Sequence, residues 1–116
     1  MAEPILKALH YLFDHAGDRV VAHCLDLDLV TSGANIEDAE ASLDAVVRMQ
    51  FANCFRSGNL RQLLIEAPEE YWTTLRAGKQ IGRKDLEVEV PPVILPVNRS
   101  VATVPVYRFE RELVAA

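Results

Sequence analysis

Near the start of the chain, His10, His15, His23 and Cys24 fall close to the carboxylates Asp26 and Asp28. Imidazole, thiolate and carboxylate are the groups that bind zinc and related ions. The spacing works against one shared site: on a strand, His23 and Cys24 point to opposite faces, and His15 lies in a turn cluster. No metal and no cofactor is assigned on this pattern. A second group sets Tyr71 and Trp72 beside Arg76, Lys79, Arg83 and Lys84. Rings interleaved with cations can stack and clamp single-stranded RNA. The same residues serve equally as a short helix anchored by Trp72 with a basic exit. The chain has no Gly-rich phosphate loop, no nucleophile elbow and no His-Glu-x-x-His pair.

The elements that must position these groups are set by hydrophobic periodicity. Ile5–Phe13 and Val20–Leu25 are β-rich runs, and the cluster Asp14–Asp18 between them predicts an antiparallel hairpin turning at Gly17. Asp26–Ser32 alternates acid and apolar residues as a short third strand, closed by Gly33. Asn35 is a good helix cap, with Glu37, Asp38 and Glu40 at the positive helix start. Ile36, Ala39, Leu43, Val46, Val47, Phe51, Cys54 and Phe55 then form one apolar stripe, and Gly58 supplies the stop. Leu60–Ile65 is apolar and of undecided type. Pro68-Glu69-Glu70 opens a second helix that ends at Gly78. Lys79–Lys84 reads as a basic linker and Leu86–Val90 as a strand with one wet face. Pro91, Pro92, Pro96 and Pro105 confine the segments after Val90 to edge strands or extended arms, because proline cannot donate to a ladder. Asn98-Arg99-Ser100 is the expected turn between Val93–Val97 and Val101–Phe109.

At 116 residues the chain is one domain. Half of it is hydrophobic and a quarter charged, which excludes disordered, collagen-like and low-complexity classes. A domain of this size builds a core without disulfides or metal. Cys24 and Cys54, with no CxxC spacing, read as buried small hydrophobes in a reducing compartment. No apolar run is long enough for a membrane span, and Met1-Ala2-Glu3-Pro4 lacks the basic start of a signal peptide, so the expected location is the cytoplasm. The net charge of −5 argues against binding nucleic acid through overall charge. Its distribution says more. Residues 1–47 carry two bases and nine acids, residues 48–84 seven bases and three acids, and residues 85–116 three bases and five acids. An acidic amino-terminal face suits a basic partner, since complementary fields speed encounter and fix orientation.

The run from His23-Cys24-Leu25-Asp26-Leu27-Asp28-Leu29 through Val30-Thr31-Ser32-Gly33-Ala34-Asn35 to Ile36-Glu37-Asp38-Ala39 resembles the HicB antitoxin family. A strand ends near a Leu-acid-Leu-acid step, and a short strand, a Gly, a helix cap and an acidic pair with Ala come after it. Leu43, Ala45, Val46 and Val47 continue that family's helix pattern, and the resemblance covers residues 5–52. It implies an α+β fold: a small antiparallel sheet (β-β-β-α-…-β) with the long helix on one face, a partial ribonuclease H-like arrangement. It also implies a toxin-neutralising module that masks a small basic ribonuclease (a HicA-like toxin) and assembles as a homodimer or higher oligomer. Residues 1–58 hold this unit. Residues 59–116 extend the same domain, with the Pro-punctuated segment 91–109 expected to cross to a neighbouring copy. They lack the helix order of a ribbon-helix-helix or helix-turn-helix, so no direct DNA binding is expected.

The acidic segment admits two readings. In one the chain is not an enzyme: Asp26, Asp28 and Glu37 contact the partner's bases, and Leu27 or Leu29 supplies an apolar anchor. In the other, prompted by the ribonuclease H relation, Asp26 and Asp28 on one strand face join Glu37 in an oxygen cluster for two-metal hydrolysis. A third possibility, on a different footing, is an interaction domain with no toxin at all.

Overall fold

The computed structural model describes residues 8–89 and 101–111. The chain is α+β, a five-stranded mixed sheet with a long helix on one face and a short one on the other. The elements are β1 (Leu9–Ala16), β2 (Arg19–Cys24), β3 (Leu29–Gly33), α1 (Ile36–Ser57), a 3-10 turn (Leu60–Leu64), α2 (Glu69–Ala77), β4 (Lys79–Glu89) and β5 (Val101–Glu110). The sheet order is β3-β2-β1-β5-β4. No helix among the described residues is long and apolar enough to cross a membrane.

The hairpin is tighter than its turn cluster suggests. Asp14 and His15 pair with Val21 and Val20, Ala16 with Arg19, and the turn shrinks to Gly17-Asp18. Gly17 takes φ +66°, the conformation that the first central position of a two-residue hairpin turn requires. Conversely, β2 stops at Cys24, residues 25–28 turn, and β3 starts only at Leu29. The acid–apolar alternation over Asp26–Ser32 is therefore only partly strand.

Alternation along the strands sorts the core. Leu9, Tyr11, Phe13, Val20, Ala22 and Cys24 face α1 and meet its Ala39, Leu43, Val47, Phe51 and Cys54. Both cysteines are free and buried. The opposite face carries Leu12, which packs with Leu25, Ala67 and Leu75 under Trp72 and Phe109. The chain from the 3-10 turn to α2 is tied there by the Ala67 N–H, which donates to the Leu25 carbonyl at 2.8 Å.

The carboxyl-terminal strands overturn two expectations. Lys79–Lys84 is no linker but the first half of β4, paired with β5 on both sides of an irregularity between Gln80 and Gly82. β5 is no edge strand: it lies between β4 (antiparallel) and β1 (parallel), so the sheet is mixed. Pro105 is tolerated because the β1 pairing begins one residue later, at Leu9↔Val106; at Pro105 only β4 flanks the strand among the described residues. Residues 101–110 thus pair within the chain's own sheet. The expected strand 93–97, the turn 98–100 and residues 5–7 of the first expected strand lie outside the described residues.

Candidate functional site

The segment joining β2 to α1 holds the residues singled out for partner binding, and its local geometry is set by where each side chain can go. Leu25 and Leu27 take opposite sides of the sheet and are both buried, Leu25 under α2 and Leu27 under α1. Asp26, between them, turns back over β1. It accepts the His10 backbone N–H at 2.5 Å and faces the His10 ring, Nδ1 to Oδ2 3.1 Å. Its side chain is 4% exposed. Asp28 takes φ +52°, a left-handed conformation that Asp tolerates better than most residues. Its carboxylate stays at the surface and accepts from His23 Nε2 at 2.8 Å. Leu29 opens β3 half-buried.

Of the five expected contact residues, Asp28, Leu29 and Glu37 reach the surface, whereas Asp26 and Leu27 do not. Asp26 and Asp28 do not share a strand face either; each is turned to its own histidine. Among the described residues no group of three or more His, Cys, Asp or Glu side chains converges where it could hold a metal ion. His15 stands apart, paired with Glu110 at 2.7 Å.

The aromatic–basic group is also divided. Trp72 packs edge-on against His10, and Tyr71 edge-on against His23. Arg83 lies over the Tyr107 ring on the α2 side, while Lys84, one residue on, reaches to α1 on the other. Arg76 pairs with Glu69. These rings anchor α2 to the sheet.

Beyond Asn35 the chain passes directly under α1. A Cβ on Gly33 would lie 2.5 Å from the Ala39 amide nitrogen, so only glycine permits this approach. Thr31 Oγ1 donates to the Ala39 carbonyl at 2.9 Å, and Asn35 Oδ1 accepts the Asp38 N–H at 2.8 Å. The first turn of α1, with Glu37 and Asp38 exposed, is thereby fixed above β3.

A polar network not anticipated from sequence ties α1 to the distal strands. Arg108 grips Glu40 through two hydrogen bonds of 2.8 and 2.9 Å; Lys84 bridges Glu40 (2.9 Å) and Asp44 (2.6 Å); Tyr11 donates to Asp44 at 2.8 Å. Burial by itself would raise the Glu40 carboxyl, but the bonds and charges of Arg108 and Lys84 outweigh it and hold it below its ordinary value. Burial, with Asp44 alongside, pushes the Tyr11 hydroxyl far up, so it remains a donor. The available signal was the placement of Glu40 and Asp44 one helical turn apart, flanking the apolar stripe.

The network divides the acids of the amino-terminal half into two sets. Glu40 and Asp44 are neutralised from the distal strands. Asp18, Glu37 and Asp38 are exposed and meet no cationic side chain among the described residues, and Asp28 has only His23. From Val20 to Val47 the chain contains no Lys or Arg. The result is an acidic rim around β3 and the start of α1, interrupted by Arg19, which donates to Ser32 Oγ of β3 at 3.3 Å. Comparison with protein-family models, curated proteins and solved structures finds no match to this chain.

Proposed function

We propose that this chain is a non-catalytic protein-binding module of the HicB antitoxin kind, whose acidic rim captures and masks a small basic ribonuclease. The observation that carries the reading is the exposed charge of Glu37 and Asp38, which meet no cationic side chain among the described residues, with Asp28 beside them paired only to His23. Two further features support it. The β1–β2–β3–α1 unit has the element order that the HicB resemblance implies, with Gly33 and Asn35 at the strand-to-helix joint. The carboxylates that a metal-dependent nuclease would need point to separate histidines.

Steric masking with electrostatic steering requires no group to change protonation and no bond to break. The exposed acids raise the encounter rate and orient the partner, an effect that weakens as salt screens it. The test begins with the reading frame beside this one. A short basic chain encoded there, purified with and without this protein, is assayed for cleavage of single-stranded RNA. The expected result is a stable complex in which cleavage stops, with Glu37→Lys/Asp38→Lys slowing association most at low salt. Undiminished cleavage in the presence of excess protein refutes the reading, as does magnesium-dependent cleavage by this chain alone.

A further inference from the structure

The sheet has two outer strands, and they are guarded very differently. β4 carries Lys79, Arg83, Lys84, Asp85, Glu87 and Glu89, and its pairing with β5 is broken by an irregularity between Gln80 and Gly82. Charges and bulges of this kind keep an edge from pairing with a foreign strand. β3 has none of these devices. Its sequence Leu-Val-Thr-Ser-Gly holds no charge and no proline, its register against β2 is unbroken, and no other strand pairs with it among the described residues.

The two sides of this edge differ in chemistry. On the α2 side Val30 stands 57% exposed at mid-strand, and nearer the end of the strand the Arg19 guanidinium from β2 donates to Ser32 Oγ at 3.3 Å. The register partner of Val30, His23, is packed against Tyr71, itself 39% exposed, so the apolar surface continues inward. On the other side the first turn of α1 lies over β3, held by the Thr31 and Gly33 contacts to Ala39, and carries Glu37 and Asp38. A strand laid beside β3 would send alternate side chains to these two sides.

We infer that β3 is a strand-addition edge for an extended segment of a partner protein in which apolar and basic residues alternate. The apolar side chains cover Val30 and Tyr71, the basic ones meet Glu37 and Asp38, and the backbone continues the ladder of β2 and β3. Charge selects this occupant over a second copy of the chain: the β3 of a second copy carries no charged side chain to meet Glu37 and Asp38, and its Arg19 lies on the other side of the sheet with Ser32. This inference rests on the reading of the protein as a module for a basic partner, and it adds the edge, the mode and the residue pattern.

The test uses the full chain and a labelled synthetic peptide of alternating lysine and valine, with a glutamate–valine peptide and a centrally prolinated lysine–valine peptide as controls. Binding is followed by fluorescence anisotropy and by amide shifts and hydrogen exchange. The expected result is binding of the lysine–valine peptide alone, with shifts and slowed exchange concentrated at Leu29–Gly33. Val30→Lys, folded as judged by circular dichroism, weakens binding about tenfold or more, the equivalent of one good contact; Glu87→Gln on the β4 edge leaves it unchanged. The inference is overturned by absent binding, by equal binding of the glutamate peptide, or by shifts centred elsewhere. A peptide-free dimer with β3 amides already protected overturns it too, because the edge is then taken by a second copy. The two proposals fail separately. If Val30→Lys masks the basic ribonuclease as well as the parent chain does, the edge is wrong and the module stands. If the peptide docks on β3 but no ribonuclease is masked, the edge stands and the module's function is wrong.

Discussion

Asp26 and Asp28 are two residues apart and chemically identical, yet the fold gives them opposite surroundings, so the same substitution at each should have unequal effects. Asp26 accepts the His10 backbone N–H at 2.5 Å and the His10 ring at 3.1 Å, with its side chain 4% exposed. Asp26→Ala removes a charge-assisted bond and leaves a part-buried N–H without its acceptor, a combined loss of about 3 kcal/mol. Asp26→Asn keeps an oxygen for the N–H but gives up the charge, for about 1–2 kcal/mol. Asp28→Asn, exposed and in a left-handed conformation that Asn also tolerates, should change stability by less than about 0.5 kcal/mol. A domain stable by about 5–15 kcal/mol remains folded in all three variants. Urea unfolding reads the differences directly: with a slope of about 1–3 kcal/mol/M, Asp26→Ala should lower the midpoint by about 1 M or more. Equal losses for Asp26→Asn and Asp28→Asn, or an Asp26→Ala loss below about 0.5 kcal/mol, would refute the reasoning.

Four other outcomes are expected. Arg108→Leu leaves the Glu40 carboxylate with Lys84 as its remaining cation and should cost about 3 kcal/mol at neutral pH by urea unfolding. Because the folded-state value of Glu40 is depressed, its contribution is present above the ordinary carboxyl value of 4.5 and is lost as pH falls through the folded value; the stability gap between the parent chain and Glu40→Gln should close on acidification, and a gap that widens contradicts the network. Gly33→Ala forces a Cβ into the Ala39 and Asp38 backbone and should cost about 1–3 kcal/mol, seen as a lowered melting temperature, whereas Gly58→Ala, with open space around it, pays only for its left-handed φ of +74°. Burial pushes the thiols of both Cys24 and Cys54 up, so modification by a thiol reagent should track global unfolding, and fast labelling of either in native buffer would contradict the core as described.

The amino-acid sequence by itself determined the features that neighbouring residues decide among themselves. α1 runs over Ile36–Ser57 as its periodicity indicates, because both ends are local chemistry: Asn35 bonds the Asp38 N–H, and Gly58 takes the left-handed stop. α2 starts just after Pro68 and ends just before Gly78 for similar reasons. The β1–β2 hairpin needs only Gly17 and two β-rich flanks. Tertiary structure decided the rest, through contacts between residues far apart in the chain. Whether Lys79–Lys84 is a linker or a strand depends on β5, and whether β5 is an edge depends on β1, nearly the whole chain away. The acidic pattern of Asp26, Asp28 and Glu37 was legible, but its division was not. A carboxylate next to Leu25 and Leu27 points inward only because β1 offers it the His10 N–H, and Glu40 and Asp44 are neutralised only because β4 and β5 bring Lys84 and Arg108 beneath α1. Local propensity carries no information about which distant donor arrives; the folded sheet supplies it, and with it the choice of which acids remain free to meet a partner.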